Sequence, residues 1–210
     1  MASSWQRLAT YTLPSDNATL STASDASLTG GVFTAKKHLR VEAWVNGTTS
    51  SSVGNLNMRL GNGTVDPNSN YGHIYSVNGS SGVTQTSQTA IRVLDDAGND
   101  NAGYFLRMNI SNTAANEKLV QVHSIQVMST GAGTAPNRGD VVGKWANTSD
   151  QINVISLIAG TSFLAGSVIT VWGADDDVLN YPNISNGTIF EESDTGKHYM
   201  FDGTSAWNEM

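Results

Sequence analysis

The sequence contains no cysteine and only 4 prolines in 210 residues. Without cysteine, neither disulfide bonds nor thiolate metal sites can form, so stability must come from buried apolar side chains or from assembly. The sequence also lacks any run of 18 apolar residues, and therefore predicts no membrane-spanning helix. Its first residues, MASSWQRLATYTLP, lack the apolar segment of a secretory signal peptide, and we expect none.

Charged residues are scarce, at 14% of the chain, and the formal net charge is −7. A surface that binds nucleic acid or an anionic membrane needs clustered lysines and arginines to meet the phosphates. The sequence has no such cluster. We therefore expect neither a nucleic-acid partner nor membrane insertion.

Asn, Ser and Thr are abundant from end to end, and they are accompanied by 21 glycines. These residues favour turns and exposed strand faces over helix interiors. Between the turns, short segments alternate apolar and polar residues, and no convincing amphipathic helix is present. About eight such segments indicate an all-β protein, specifically an antiparallel β-sandwich of jelly-roll type.

Residues 151–173 carry the strongest strand signal. Ile152, Val154 and Ile158 are separated by even numbers of residues, so in the first strand of this segment they point to the same face. Val168, Thr170 and Trp172 likewise point to one face of the second strand. Such a period of two buries one face of a sheet and leaves the other free. We interpret this segment as the hydrophobic spine of the β shell and not as an active site.

Three parts are predicted along the chain. Residues 1–30 form an N-terminal arm or edge strand, residues 31–178 the β-sandwich, and residues 179–210 a C-terminal hairpin extension. A two-stranded hairpin is only marginally stable alone in water, so the aromatic residues of the extension must pack against the main domain or another subunit. The candidate interface residues are Trp5, Phe190, Tyr199, Phe201 and Trp207.

Four segments carry a family resemblance. They are KHLRVEA (37–43) after Phe33; LNMRLGN (56–62) before Asn70 and Tyr71; INVISLI (152–158) with Phe163, Gly166, Ser167 and ITVWG (169–173); and a tail pattern at Gly187, Phe190, Asp194, Thr195, Lys197, Tyr199, Phe201, Asp202, Gly203 and Trp207. In these segments the chain resembles small structural proteins of tailed bacteriophages and related marine viruses. Where that group has F-N-G-D, this chain has LGNG (60–63).

The resemblance implies a capsid- or tail-associated virion component of decoration, spike or fibre type. We expect it to self-assemble as a homo-oligomer, a trimer in particular, and to attach to other virion proteins. Its expected location is the virion. The resemblance implies no chemical reaction.

No arrangement of residues predicts catalysis, so we expect no enzyme, no catalytic residue and no cofactor. The four histidines (His38, His73, His123 and His198) lack the spacing of a zinc site, and no G-x-S-x-G motif is present. The acidic turns at 95–101 and 175–177 lack the order of an EF-hand loop. Solvated turns are the favoured interpretation of both, a calcium ion is the alternative, and we predict no metal site.

Aromatic residues support two functional hypotheses. Rings on an open sheet face either fill a subunit interface or stack on sugars, and the tryptophans of interest are Trp44, Trp145, Trp172 and Trp207. We favour the interface. The alternative is a glycan-binding receptor-recognition module of a tail fibre or spike, with residues 61–87 as the binding surface. Its ligand-contact aromatics would be Trp44, Tyr71 and Tyr75.

Overall fold

The computed structural model describes residues 5–15, 26–46, 56–94, 103–127, 131–159, 163–175, 186–203 and 206–210. Within these ranges the regular secondary structure is entirely β-strand. The strands are β1 (Gln6–Thr12), β2 (Ala26–Val32), β3 (His38–Asn46), β4 (Leu56–Asn62), β5 (Thr64–Val65), β6 (Tyr71–Val77), β7 (Val83–Gln88), β8 (Ile91–Leu94), β9 (Gly103–Ser111), β10 (Lys118–Gln126), β11 (Asn137–Trp145), β12 (Val154–Ala159), β13 (Val168–Ala174), β14 (Ile189–Glu192), β15 (Lys197–Phe201) and β16 (Trp207–Glu209). The prediction of an all-β fold is confirmed.

The chain divides into two compact units, Arg7–Gly173 and Met1–Gln6 with Ala174–Met210. In the larger unit, the strands of an eight-stranded sheet follow the order β1-β13-β3-β9-β10-β11-β6-β7. A five-stranded sheet has the order β2-β12-β4-β5, and β8 also pairs with β4. In the smaller unit, β14, β15 and β16 form a three-stranded sheet. β1 lies at one edge of the eight-stranded sheet.

One hydrophobic core joins the two large sheets. In β3 and β9 every second residue is buried, and the register places Leu39 opposite Ile110 and Val41 opposite Met108. Directly opposed residues of an antiparallel pair point to the same side of a sheet, so both strands present one apolar face to the core. Leu60 of the five-stranded sheet belongs to the same cluster. Two antiparallel sheets around a shared core are consistent with a β-sandwich.

The strand β12 differs from the sequence-based expectation. Leu157 lies opposite Met58 and faces the shared core, whereas Val154 and Ile158 have the other parity. All six residues of β12 are buried, so neither of its faces is free. The prediction of one free face is wrong because this strand has apolar or small side chains at both parities.

In β13 the face that the sequence analysis singled out is less buried than the opposite face. Ile169 and Val171 are buried in the core, while Val168, Thr170 and Trp172 are half-buried. Alternation alone marks two faces, and the packing of the second sheet determines which of them is covered.

Candidate functional site

Among the described residues of the larger unit, several large apolar side chains are exposed on the eight-stranded sheet. We call the side of β3, β9, β10 and β11 that points away from the core the outer face. Trp44 of β3 lies opposite Phe105 of β9, which lies opposite Ile125 of β10. These three side chains are 41%, 39% and 45% exposed, respectively. The register therefore aligns three large apolar side chains in one row across the strands.

The indole of Trp44 lies against the backbone of Gly103. A Cβ atom at Gly103 would come within 2.5 Å of the indole, so a larger residue there would displace the ring. The indole Nε1 donates a hydrogen bond to Oδ1 of Asn46 at 2.7 Å. Glycine and asparagine together hold the exposed ring in one position.

Further apolar side chains extend this surface toward the other edge of the sheet. Val142 of β11 lies opposite Ile74 of β6, and both are exposed. Leu119, on the neighbouring strand β10, is also exposed. Apolar residues are thus present on both halves of the outer face.

The charged side chains of the outer face are mainly cationic. In the register of the four strands they are Arg40, Arg107, Arg138 and Lys144, with the carboxylates Glu42 and Asp140. Asp140 contacts Arg138 at 3.0 Å and His123 at 2.8 Å, and Glu42 contacts Arg40 at 3.0 Å. The chain as a whole carries a net charge of −7. Lys144 in turn contacts Glu117 at 2.7 Å, so three of the four cations are paired with carboxylates and the outer face has a small excess of positive charge.

The aromatic residues of the C-terminal strands cluster within their own sheet. The ring centroids of Phe190 and Trp207 are 6.0 Å apart, and those of Phe201 and Trp207 are 5.3 Å apart. Phe201 is buried, Tyr199 is half-buried, and Phe190 and Trp207 are exposed. Trp5, the remaining interface candidate, is exposed as well.

Two aromatic residues that the sequence suggested for ligands or interfaces belong instead to the core. Tyr71 is 2% exposed, and its hydroxyl lies 2.9 Å from the carbonyl oxygens of Leu60 and Asp66, to which it donates. Burial raises the pKa of this hydroxyl. Trp145 is also buried and donates its indole N–H to Asp66. Because both rings point inward, neither presents a surface to a ligand.

A second site, which the sequence did not reveal, is a polar pocket in the larger unit. It has a volume of about 190 Å³ and combines residues of β4, β6, β7, β8 and β12. Its lining residues are Asn57, Arg59, His73, Gln85, Gln88, Thr89, Ala90, Arg92 and Ile158. The described lining includes two arginines and three amide side chains, and none of these residues is acidic.

His73 is the unusual member of this lining. It is 5% exposed and lies opposite Gln85 of β7, whose side chain is its hydrogen-bonding neighbour. Burial lowers the pKa of His73, the charge of Arg92 lowers it further, and the neighbouring Gln85 side chain partly opposes the shift. The imidazole is therefore neutral at neutral pH, with one N–H donor and one nitrogen acceptor in a buried position.

The two arginines of the pocket are held by neighbouring groups. Arg59 donates from Nε to the carbonyl oxygen of Thr89 at 3.1 Å. Arg92 donates from Nη1 to the hydroxyl of Tyr75 at 3.2 Å, and its guanidinium carbon lies 5.0 Å from the Tyr75 ring centroid. Tyr75, a predicted ligand-contact residue, thus supports an arginine that lines the pocket. The sequence contained one indication of these pocket residues. Each arginine alternates with apolar residues in its strand, where a cation is unusual.

Within the described part of the chain, no group of three or more His, Asp or Glu side chains could hold a metal ion. The acidic turn at 95–101 lies outside the described residues, as do Asp176 and Asp177 of the second acidic turn. The same described ranges contain no helix that is long and apolar enough to span a membrane.

Comparison with known proteins yields no match to a protein-family model, to a curated protein or to a solved structure. The proposals below therefore depend on the geometry of the chain and on the resemblance of its sequence segments.

Proposed function

We propose that this chain is a structural protein that assembles with copies of itself through the outer face and forms a capsid- or tail-associated part of a virion. The observation that carries the proposal is the exposed row of Trp44, Phe105 and Ile125. An antiparallel sheet that packs one face on a core normally presents polar residues on the other. Contiguous apolar surface on a small protein typically marks an interaction site.

The charge distribution favours a second copy of the chain as the occupant of this face. The outer face has four cations (Arg40, Arg107, Arg138 and Lys144) against three carboxylates (Glu42, Asp140 and Glu117), a small positive excess, whereas the whole chain has a net charge of −7. The outer face is thus complementary to the acidic remainder of another copy. A contact between two different surfaces of identical subunits is head-to-tail, and such contacts form a closed ring when the rotation between subunits closes and an open filament when it does not. The proposed trimer is the closed form of such a head-to-tail assembly.

The size of the outer face is adequate for such a contact. Four nine-residue strands span about 27 Å along their length and about 19 Å across, or about 500 Å². A standard interface buries roughly 800 Å² on each partner. The outer face supplies most of that area, and flanking surface on β6, which includes the exposed Ile74, extends it.

The place of the protein in a virion is supported by the resemblance of four sequence segments to phage structural proteins. A decoration, spike or fibre-type component acts passively, by stable attachment to the particle and to its own copies. The proposal includes the jelly-roll connection of the strands, and a role for the C-terminal strands as an appendage that extends the contact with other virion proteins.

The assembly proposal is tested by the double variant Trp44→Ser/Phe105→Ser. An aromatic side chain has a surface of about 150–250 Å². Because Trp44 and Phe105 are 41% and 39% exposed, an interface can cover somewhat less than half of each. At about 25 cal/mol per Å² the two changes together therefore cost about 4 kcal/mol. The dissociation constant should therefore rise about 1000-fold. Size exclusion with light scattering is expected to give three times the 22.2 kDa subunit mass for the unchanged protein, and the subunit mass for the variant.

Val32→Ser is the matched control, because Val32 is exposed on β2 of the five-stranded sheet, away from the outer face. This variant should keep the oligomeric mass. Circular dichroism checks that all three proteins are folded. A concentration-independent monomer of the unchanged protein, or an undiminished oligomer of the double variant, would contradict the proposal.

Glycan recognition is the second candidate function. It is favoured by the exposed indole of Trp44, which is held in place by Gly103 and Asn46, since fixed aromatic rings stack well on sugars. A glycan array distinguishes the two functions. Binding that disappears in Trp44→Ser while the oligomeric mass is retained would favour recognition over assembly.

A further inference from the structure

Asn46, the last residue of β3, is bonded to the turn at 163–167 that precedes β13. Its backbone N–H donates to Oγ of Ser167 at 3.0 Å, and its carbonyl oxygen accepts from the backbone N–H of Leu164 at 3.3 Å. Its side-chain Nδ2 donates to the carbonyl oxygen of Ala165 at 2.9 Å. Three of the polar groups of Asn46 therefore attach the end of β3 to this turn.

The turn is itself held firmly within the larger unit. Phe163 and Ser167 are buried, and Phe163 belongs to the hydrophobic core. The backbone N–H of Gly166 donates to the carbonyl oxygen of Leu13, and the N–H of Leu13 donates to that of Ser167, each at 2.8 Å. Because buried side chains and backbone hydrogen bonds both fix the turn, it gives the side chain of Asn46 a rigid support.

The remaining polar group of Asn46, Oδ1, serves an exposed residue. It accepts a hydrogen bond from the indole Nε1 of Trp44 at 2.7 Å, although Trp44 is 41% exposed. The fold does not need this bond, because an indole N–H at the surface can donate to water instead. What the bond does, together with the contact between the ring and Gly103, is to give the exposed indole one orientation.

We propose that Asn46 is a positioning residue for self-assembly, through which the turn at 163–167 fixes the indole of Trp44 before a second copy of the chain binds to it. This role rests on the proposed assembly through the outer face. A side chain that is ordered before binding loses less conformational freedom when the interface forms, so the same contact area gives a tighter complex. Tryptophan is among the residues that contribute most to binding at interfaces, and its orientation therefore affects affinity strongly.

An amide is the side chain that suits position 46. The indole N–H of Trp44 can only donate and the carbonyl of Ala165 can only accept, so the residue between them must offer both an acceptor and a donor. Gly166 has a φ of 80°, and a Cβ atom there would lie 3.2 Å from Nδ2 of Asn46. Replacement of Asn46 or Gly166 therefore alters the support of the indole without removing apolar area from the outer face.

A double-mutant cycle between Asn46 and the indole N–H tests the proposal. Asn46→Ala removes the acceptor, Trp44→Phe keeps an aromatic ring without the N–H, and a third variant combines both changes. Sedimentation velocity over a series of concentrations gives the dissociation constant of each oligomer. Asn46→Ala alone should raise this constant about three- to tenfold, which corresponds to the cost of immobilising one side chain on binding. In the Trp44→Phe background the same change should raise it less than about twofold, because no indole N–H remains to be positioned.

NMR of the indole N–H groups separates positioning from a general loss of structure. The Trp44 signal is assigned by its disappearance in Trp44→Phe. In Asn46→Ala this N–H should exchange with solvent faster, because it has lost its acceptor. The signal of Trp145, which is buried, should keep its position and its slow exchange and thereby show that the core is intact.

Two further variants complete the experiment. Gly166→Ala displaces the Asn46 amide while both partners of the hydrogen bond remain in the chain, and it should weaken assembly in the same direction as Asn46→Ala. Asn153→Ala is the matched control. Asn153 Oδ1 accepts from the backbone N–H of Gly63 at 2.7 Å beside the five-stranded sheet, so this variant loses an asparagine hydrogen bond away from the outer face and should keep the dissociation constant.

Two outcomes would overturn the role of Asn46 alone. If Asn46→Ala weakens assembly equally in both backgrounds, Asn46 does not act through the indole of Trp44. If Asn46→Ala leaves the dissociation constant unchanged, the order of the ring does not matter for assembly, whatever its exchange rate. A concentration-independent monomer of the unchanged protein would instead refute assembly through the outer face, and with it this role of Asn46.

Discussion

Replacement of Lys118 by methionine is expected to lower the free energy of unfolding by about 3 kcal/mol, because three carbonyl groups lose a charged donor. Lys118 is 0% exposed. Its Nζ donates to the carbonyl oxygens of Ala114, Asn116 and Asn147 at 3.1, 2.6 and 2.7 Å. These contacts join the turn between β9 and β10 to the loop after β11.

The size of this effect follows from two opposing contributions. Unpaired buried acceptors cost about 1–3 kcal/mol each, which gives a gross loss of several kcal/mol for three carbonyls. Methionine, however, also removes a buried charge, and burial lowers the pKa of Lys118 although Asp150 opposes this shift. Relief of the desolvation cost offsets part of the loss. Because methionine keeps the length of the side chain, little cavity is created.

Urea denaturation of Lys118→Met and Lys144→Met provides the measurement. Lys144 makes an exposed ion pair with Glu117 at 2.7 Å, and its replacement should cost less than about 1 kcal/mol. Both changes are best made in the Trp44→Ser/Phe105→Ser background, so that assembly does not contribute to stability. Equal free energies of unfolding for the two variants would show that the three carbonyl contacts of Lys118 are energetically unimportant.

Replacement of Asp66 by alanine is expected to cost about 3 kcal/mol at neutral pH, because the indole N–H of a buried tryptophan loses its acceptor. Asp66 Oδ2 accepts hydrogen bonds from Trp145 Nε1 at 2.9 Å and from Asn70 at 2.8 Å. Its Oδ1 accepts from the backbone N–H of Asn68 at 2.9 Å. Trp145 is 3% exposed, so water does not replace the lost partner.

The lowered pKa of Asp66 also leads us to expect that the stability of the protein depends on pH. Burial raises the pKa of this carboxyl, but the hydrogen bonds from Asn70, Trp145 and Asn68 outweigh burial and hold the pKa below its usual value. A carboxyl with a lowered pKa in the folded state stabilises the protein above its unfolded pKa of about 3.9, and this contribution is lost as the pH falls through the folded pKa. Stability should therefore decrease on acidification below about pH 4.

Denaturant unfolding between about pH 6 and pH 2 tests this dependence. Asp66→Ala should lose less stability on acidification than the unchanged protein. Hydrogen bonds from Asn147 and Asn62 lower the pKa of Asp150. Asp150 should therefore contribute to the pH dependence of stability in the variant and in the unchanged protein alike. Asp66→Asn keeps an acceptor for Trp145 but not the charge, so it should cost less at neutral pH and show the same reduced acid sensitivity. Parallel pH profiles for Asp66→Ala and the unchanged protein would argue against a role of Asp66 in acid unfolding.

Local patterns predicted some strands well and overlooked others. The alternation in β3 and β9 identified the residues that lie in the core, since side chains on successive strand residues always point to opposite faces. β7 has the sequence VTQTSQ, in which polar residues lie on both faces of the strand, and it was not predicted as a strand. Its place as an edge strand explains this, since an edge strand can pair on one side without burying an apolar face.

The polar pocket could not be predicted from the sequence. Its lining spans residues 57 to 158 and depends on pairings such as Asn57 with Arg92 and Asn57 with Ile158. Each of these residues alone is compatible with a solvated strand face. Only the approach of β6 and β7 to β4 and β8 converts His73 and the two arginines into one cavity lining.

From the sequence alone, one could establish the β class, the alternation of the strands and the absence of cysteine chemistry, because composition and a period of two are local properties. The sequence could not establish which parity of β13 faces the core, that Tyr71 and Trp145 are internal while Trp44 is exposed, or that distant polar residues share a pocket. Those features arise from strand register and from the packing of one sheet on the other, which join residues far apart in the chain.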